Sequence, residues 1–317
     1  MKNLLKKFLA AAVFLLMSLL MNAAEPTTGD EPKPPIELAV PFTDNAILQR
    51  GKEVPVWGWT QPGAKVTVEF AGQRKTGKAD KYGKWSVKLD SLVASAEERE
   101  LKVSSGKDSV ILKNVLVGEV WFSSGQSNMV WTAGKSMCSE LAKQLASSKE
   151  DVPIREINVS TVSALYPQKR ATSEEGWKKA SAAGGFSALS LSFAHELYKE
   201  LNVPIGILLS AHSNTRVEAF TQRQAIEAHP KLEKDTALML DADPLTAQGR
   251  KAFEQYYADL KAWQDEAGDA AEAGGKVPQR PKLPGIAGMW RGPSQFFNGK
   301  IAPVIPYAIR GAIWCQG

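Results

Sequence analysis

A short block at the end of an apolar strand carries the residues whose types and spacing could do chemistry. Residues 118–129 read Gly-Glu-Val-Trp-Phe-Ser-Ser-Gly-Gln-Ser-Asn-Met, so an apolar stretch leads directly into a small polar turn that contains Ser127. A hydroxyl at the carboxyl end of a buried strand lies where open α/β sheets bind ligands, and nearby backbone N–H groups can stabilise an oxyanion. The block predicts Ser127 as a hydrolase nucleophile. Taken alone, it also fits an ordinary polar turn that leaves a strand.

The elements that must position this turn change character near residue 114. Residues 36–114 alternate apolar and polar side chains with period two, as in Val66, Val68 and Phe70, and glycine-containing turns separate the runs. This pattern predicts a small antiparallel β-sandwich domain.

Residues 115–317 instead alternate apolar strands with amphipathic helices. The predicted strands and helices are 115–123, 138–147 (helix), 186–201 (helix), 205–210 and 308–315, and a surface helix is predicted within 245–275. Such an alternation predicts an α/β domain with a parallel sheet and helices on both faces.

Three of the predicted strands end in polar turns, at residues 124–128, 211–215 and 316–317. In a parallel sheet these ends lie on one side, so a ligand site is expected to be built from all three turns together. The candidate oxyanion or substrate-binding residues in these turns are Gln126, Asn128, His212, Ser213, Asn214 and Gln316.

The first 35 residues precede these domains. Residues 1–24 contain three lysines, an apolar run at 8–21, and then Ala23 and Ala24, which predicts a secretory signal peptide. The run is shorter than the ~20 residues of a membrane-spanning helix, so no membrane association is expected after cleavage. Residues 25–35 are predicted to be a linker. The protein is therefore expected to be secreted or periplasmic.

Charge and cysteine content exclude several other classes. The formal charge of +5 falls to +2 without the three lysines of residues 1–24, and the remaining lysines are scattered among acids, so no nucleic-acid partner is predicted. Cys138 and Cys315 are predicted to be unpaired. With three histidines and no Cys-x-x-Cys or His-x-x-x-His spacing, no metal site is predicted.

The nucleophile turn differs from the Gly-x-Ser-x-Gly elbow, because Met129 stands at the second glycine position. Residues 125–129, Gly-Gln-Ser-Asn-Met, instead resemble the corresponding block of the SGNH-type sialate O-acetylesterase family. The resemblance continues in order through nearly the whole mature chain, at residues 48–50, 54–59, 118–121, 203–206, 217–219, 298–299, 301–303, 305–307, 309–314 and 316–317.

The resemblance implies an SGNH, flavodoxin-like sheet, here incomplete, and a two-step hydrolysis of acetyl esters on sugars. Ser127 Oγ attacks the acetyl carbonyl, a histidine takes its proton, and water hydrolyses the acyl-enzyme. The oxyanion is held by the Ser127 N–H, a backbone donor from the second turn, and an asparagine side chain just past the third. The implied partner is an O-acetylated carbohydrate, and no metal or organic cofactor is implied.

The sequence departs from this family in two places. His212-Ser213-Asn214 stands where the family usually has Trp-Gly-Gly, and a position that needs positive φ tolerates Asn214 better than Ser213. The family also continues beyond the equivalent of Gly317 with Glu-Ser-Asn and, later, the aspartate and histidine segment that holds the general base. The chain is therefore expected to be a C-terminally truncated form with activity near background.

Three histidines in the chain are candidate substitutes for that base. His195 falls within a predicted helix and His229 precedes Pro230 in a predicted loop. His212, at a strand end, is either a base, a substrate contact or part of the pocket wall.

A non-catalytic alternative remains open, in which the β domain binds carbohydrate. Trp57, Trp59 and Trp85 could stack on sugar rings if they were exposed, although aromatics of a sandwich usually belong to its core.

Overall fold

The computed structural model describes residues 36–317, which form part of one compact unit. The predicted signal peptide (1–24) and linker (25–35) lie outside the described residues. The strands are β1 (Ile36–Leu38), β2 (Ile47–Gln49), β3 (Val54–Thr60), β4 (Lys65–Phe70), β5 (Gln73–Lys78), β6 (Lys84–Leu89), β7 (Ser95–Ser105), β8 (Asp108–Gly125), β9 (Ile154–Asn158), β10 (Trp177–Lys179), β11 (Ile205–Ala211) and β12 (Gly311–Cys315). The α-helices are α1 (Ser127–Val130), α2 (Ser139–Ser147), α3 (Ala188–Leu201), α4 (Arg223–Glu227), α5 (Glu233–Ala242) and α6 (Ala247–Glu272).

The N-terminal part is antiparallel, as its period-two pattern predicts. β1, β3 and β6 form a three-stranded sheet, while β5, β4, β7 and the first half of β8 pair in that order in a second one. Along β6 the side chains alternate between exposed and buried, with Trp85, Val87 and Leu89 in the core. One face of each strand is thus buried against the other sheet.

The C-terminal part contains the predicted parallel sheet, and the α/β class is confirmed. β9, β11, β8 and β12 lie side by side and run parallel, and β10 adds an antiparallel edge to β9. The carboxyl ends of β8, β11 and β12 consequently meet at one edge of the sheet.

The strand β8 is continuous across the predicted domain boundary at residues 114 and 115. Its first half pairs with β7 and its second half with β11 and β12. At the boundary, Asn114 has a left-handed φ of 55°. The buried Arg155 fixes this point, donating to the carbonyl oxygens of Asn45 and Asn114 at 2.8 and 2.6 Å. The division into domains 36–114 and 115–317 stays a prediction.

The two faces of the parallel sheet pack against different partners. On β11, Ile205, Ile207 and Leu209 belong to a core shared with α3, whereas Leu208 belongs to the core of the antiparallel sheets. This alternation follows from the period of two along a strand. Helix α3 begins where Ser187 Oγ accepts a hydrogen bond from Ser190 N–H, and it ends at Asn202 in the left-handed conformation.

The predicted surface helix within 245–275 is α6, which buries Phe253 and Tyr256 on one face. No helix in residues 36–317 combines the length and the apolar character required to cross a bilayer.

A buried carboxyl group beneath α3 makes stability depend on pH. Glu156 in β9 is 5% exposed, and its carboxylate accepts hydrogen bonds from Ser187 N–H at 3.1 and 3.3 Å. Burial raises the pKa of Glu156 to about 8, although the Ser187 N–H and the charge of Lys178 oppose the rise. Between the ordinary pKa of 4.5 and about 8, the folded protein holds a proton that the unfolded chain releases. The free energy of unfolding therefore falls as pH rises through this range and is lowest above it.

We expect Glu156→Gln to remove this dependence, because an amide accepts from Ser187 N–H without ionising. At pH 9 the free energy of unfolding of the variant should exceed that of the parent by on the order of 2 kcal/mol, so the variant should unfold at a higher temperature. At pH 5 the two proteins should differ less. Thermal unfolding at both pH values measures this, with the exposed Glu150→Gln as the matched control. Parallel profiles for parent and Glu156→Gln would show that the carboxyl group is ionised in the folded protein.

Candidate functional site

The turn that carries Ser127 follows β8 immediately, as the sequence predicts. β8 ends at Gly125, and α1 begins at Ser127, which is exposed. Gly125 has a φ of 133°, and a Cβ atom on it would lie 2.0 Å from the carbonyl oxygen of Cys315. Only glycine therefore lets β12 approach the nucleophile turn this closely.

A buried methionine supports the turn from below. Met129 is 2% exposed, and its sulfur accepts a hydrogen bond from Ser123 Oγ at 3.0 Å. Ser190 Oγ of α3 donates to the same sulfur at 3.5 Å. The residue that excludes a Gly-x-Ser-x-Gly elbow thus anchors α1 to the sheet and to α3.

The three polar turns meet at one edge, as their order in the sequence predicts. In the register of the sheet, Gly125 lies opposite both Ala211 of β11 and Cys315 of β12. His212 N–H donates to the Gly125 carbonyl oxygen at 3.1 Å, and Gln126 N–H donates to the Cys315 carbonyl oxygen at 3.0 Å. These bonds hold the second and third turns against the first.

The second turn points a backbone donor at Ser127. Asn214 N–H donates to Ser127 Oγ at 3.4 Å, and Asn214 has a φ of 52°. The left-handed conformation falls on Asn214 and not on Ser213, which agrees with the tolerance of asparagine for this region. A donor at this position can stabilise negative charge that develops beside the serine oxygen.

An arginine that the sequence did not single out braces this donor. Arg291 Nη1 donates to the carbonyl oxygens of Ser213 and Asn214, at 3.3 and 2.8 Å. The Ser213 carbonyl belongs to the same peptide group as the Asn214 N–H, so the guanidinium fixes the orientation of that group and polarises it. Thr215 Oγ1 donates to the Ser213 oxygen as well, at 3.1 Å.

The other predicted binding residues lie around the same edge with different partners. The Gln126 side chain donates to the Gly317 carbonyl oxygen, and Gln316 Nε2 donates to the Thr215 carbonyl oxygen at 2.9 Å. Asn128 and Ser213 are exposed beside Ser127 and Asn214. Gln126 and Gln316 thus join the turns, while Asn128 and Ser213 face solvent.

The histidines occupy different environments. His195 lies on α3, with its Nδ1 3.4 Å from Glu196 Oε1, and His229 precedes a 3₁₀ turn at Pro230–Leu232. His212 is half-buried at the end of β11, with its ring 4.9 Å from that of Phe296 and Nδ1 3.4 Å from Thr161 Oγ1. Within residues 36–317, no imidazole or carboxylate hydrogen-bonds to Ser127 Oγ.

Two further residues near His212 were missed from sequence, namely Thr161 and Lys300. Lys300 Nζ donates to Thr161 Oγ1 at 3.0 Å and to the Ala211 carbonyl oxygen at 2.8 Å. The available signal was a lysine that directly precedes the apolar stretch 301–305.

The described residues contain no group of three or more histidine, cysteine, aspartate or glutamate side chains arranged to hold a metal ion. Cys138 and Cys315 are free thiols. At the site itself, Ser127 presents a hydroxyl and Asn214 an amide donor.

The tryptophans of the alternative hypothesis are core residues. Trp57 and Trp85 are 1% exposed and Trp59 is 6% exposed. None of the three presents a ring face to solvent. These tryptophans therefore cannot stack on sugar rings, as the carbohydrate-binding alternative required.

Comparison with known proteins identifies relatives of this chain. It is 29% identical to the sialate O-acetylesterase of Mus musculus over 206 residues and 27% identical to that of Homo sapiens over 190 residues. These matches cover 59% and 55% of this chain but only 38% and 36% of the relatives. The crystal structure of a carbohydrate acetylesterase from Xanthomonas citri matches 89% of this chain and 51% of that one, with 27% identity and a TM-score of 0.64. No family model matches the sequence.

Proposed function

We propose that this chain, a relative of the sialate O-acetylesterases in sequence and of a carbohydrate acetylesterase in fold, removes acetyl groups from O-acetylated carbohydrates with Ser127 as the nucleophile. The observation that carries the proposal is the exposed Ser127 Oγ at the shared edge of three parallel strands, 3.4 Å from the Asn214 N–H. A nucleophile beside a fixed backbone donor is the arrangement that acyl transfer requires.

The proposed reaction has two steps. Ser127 Oγ forms a bond to the acetyl carbon, and its proton leaves to a base. The negative charge that develops on the carbonyl oxygen is stabilised by the Asn214 N–H and the Ser127 N–H. The sugar oxygen then departs with a proton, which leaves an acetyl-enzyme, and water releases acetate and regenerates the hydroxyl.

The proposal assigns no residue as the general base. Ser127 Oγ has no hydrogen-bonded imidazole or carboxylate within residues 36–317. A serine without such a partner is a weak nucleophile, so we propose that the 317-residue chain forms and releases its acetyl-enzyme slowly. We also propose that it is an SGNH-type esterase exported by the signal peptide pattern of residues 1–24.

Acetate release tests the proposed substrate class. We expect the protein to liberate acetate from an O-acetylated hexose and none from the matched N-acetylated hexosamine, because an amide carbonyl is less electrophilic and its leaving group is poorer. Enzymatic detection of free acetate over long incubations, against a protein-free control, measures both reactions. Release from the N-acetyl sugar alone, or from neither sugar, would contradict the proposal.

A further inference from the structure

A lysine with no acidic partner is buried beside the site. Lys300 is 1% exposed and lies on a π-helical turn at Phe297–Ile301. Its ammonium forms no ion pair with any described residue. It donates instead to two uncharged acceptors, the Ala211 carbonyl oxygen at 2.8 Å and Thr161 Oγ1 at 3.0 Å. A buried ammonium without a paired carboxylate is unfavourable. The two hydrogen bonds of Lys300 must therefore stabilise it, and they fix the position of its ammonium beside Thr161.

The contact between Lys300 and Thr161 fixes the direction of a hydrogen bond. A protonated lysine can only donate, so Thr161 Oγ1 accepts from Lys300 Nζ. The single proton of the Thr161 hydroxyl is then left for another acceptor. Among the described residues, His212 Nδ1 lies within reach of that proton, with 3.4 Å between Thr161 Oγ1 and Nδ1.

A bond donated by the Thr161 hydroxyl to Nδ1 selects one tautomer of His212. A ring nitrogen that accepts a hydrogen bond carries no proton, so Nδ1 is unprotonated and the proton of the neutral ring lies on Nε2. No described residue accepts a hydrogen bond from Nε2.

The charges around the ring favour its neutral form. Burial first, and then the positive charges of Lys300 and Arg291, lower the pKa of His212 below its ordinary value of 6.5. Burial also lowers the pKa of Lys300 to about 8, so Lys300 remains predominantly protonated at pH 7 while His212 is neutral. At neutral pH, Lys300 can therefore donate to Thr161 while the neutral His212 ring accepts from Thr161.

We propose that Lys300, acting through Thr161, holds His212 as the neutral Nε2–H tautomer, so that His212 offers a hydrogen-bond donor to a bound ligand and not a basic nitrogen. His212 directly follows β11, its backbone N–H is bonded to the Gly125 carbonyl oxygen, and Asn214 reaches Ser127, so the backbone of His212 lies at the same edge as Ser127. The charge of Arg291, which bonds the Asn214 carbonyl oxygen, also acts on the His212 ring. The ligand oxygens that this donor would meet, those of an acetyl ester or a sugar, rest on the proposed function. The tautomer itself does not.

Nuclear magnetic resonance tests the tautomer on the chain as it exists. Histidine ring nitrogens labelled with 15N distinguish a protonated from an unprotonated nitrogen, and His212→Gln assigns the signals. At pH 7 we expect His212 to show a protonated Nε2 and an unprotonated Nδ1. Thr161→Val should convert this into a mixture of the two tautomers, and the signals of His195 and His229 should stay unchanged as internal controls.

Lys300→Met supplies a second arm, because it removes the donor that orients the Thr161 hydroxyl but keeps the volume of the side chain. The exposed Lys282→Met is its matched control. A protonated Nδ1 in the parent protein would overturn the proposal. Lys300→Met is expected to give a mixture of tautomers, as Thr161→Val does. An unchanged Nε2–H tautomer in either variant would also overturn the proposal.

Acylation rates test whether His212 donates a hydrogen bond to the ligand. Gln places its amide nitrogen near the position of His Nε2, whereas Asn places it near Nδ1. His212→Gln should therefore keep the rate of acylation by an aryl acetate within about threefold, and His212→Asn should lose roughly tenfold, as expected for one neutral hydrogen bond. Equal losses in both variants would contradict the donor role. If no acetyl-enzyme forms even in the parent, the proposed function fails while the tautomer result still stands.

Discussion

Replacing Ser127 by alanine is expected to remove the acetyl-enzyme entirely and to reduce the slow aryl acetate hydrolysis of this chain to the protein-free rate, because in the proposed reaction the hydroxyl carries the acyl group. The protein should remain folded, since Ser127 is exposed and its neighbour Met129 supplies the buried contacts of the turn. Intact mass spectrometry after mixing excess protein with 4-nitrophenyl acetate detects the adduct in a single turnover, and peptide mapping places it.

The exposed Ser91→Ala is the matched control and should retain the adduct. An acetyl group that still forms at the same rate in Ser127→Ala would place the nucleophile elsewhere. An unchanged melting temperature is required in both variants, so that loss of acylation is attributed to the hydroxyl and not to unfolding.

Replacing Arg291 by alanine is expected to slow acylation roughly 10- to 100-fold, with little change in the substrate concentration at half-saturation. The guanidinium bonds the Ser213 carbonyl oxygen at 3.3 Å and the Asn214 carbonyl oxygen at 2.8 Å, and without it the Asn214 N–H is free to turn away from Ser127. An oxyanion donor acts in the transition state, so its displacement reduces the rate more than the binding of substrate.

Single-turnover rates measured over a range of aryl acetate concentrations separate the two effects. Added guanidinium should restore part of the rate to Arg291→Ala. Arg291→Lys should be intermediate, because its flexible, strongly hydrated ammonium keeps the charge but lacks the rigid planar group that holds Nη1 between both carbonyl oxygens. Arg280→Ala, at an exposed position, should have no effect and no response to guanidinium. A change confined to half-saturation would indicate that Arg291 contacts the substrate and does not position the donor.

The position of Ser127 was readable from sequence because each of its causes is local. An apolar run followed by Gly-Gln-Ser-Asn-Met specifies a buried strand and an immediate turn, and the later runs that end at Ala211 and Cys315 have the same form. Parallel pairing then forces the three ends to one edge of the sheet. The outcome depends on strand direction alone, so no knowledge of side-chain contacts was needed.

The same reasoning identified the antiparallel strands and the helices α2, α3 and α6, whose periodic apolar positions record which face is buried. It could not show that β8 passes through residue 114 without a break. Each half of that strand has a local pattern that is typical of a separate strand. The buried Arg155 donates to the carbonyl oxygens of Asn45 and Asn114 at the boundary, and this contact is not visible in either pattern.

The residues around the nucleophile that only the tertiary structure revealed are distant in sequence from their partners. Arg291 lies 78 residues from Ser213, Lys300 lies 139 residues from Thr161, and Trp57, Trp59 and Trp85 proved to be core residues once the two sheets were packed. A periodic pattern reports how buried a residue is along its own element, but it carries no information on which carbonyl a long side chain reaches across the fold. The sequence by itself therefore determined the strands and the turn that presents Ser127, while packing decided which side chains contact the Asn214 peptide and His212, and which aromatic rings are hidden.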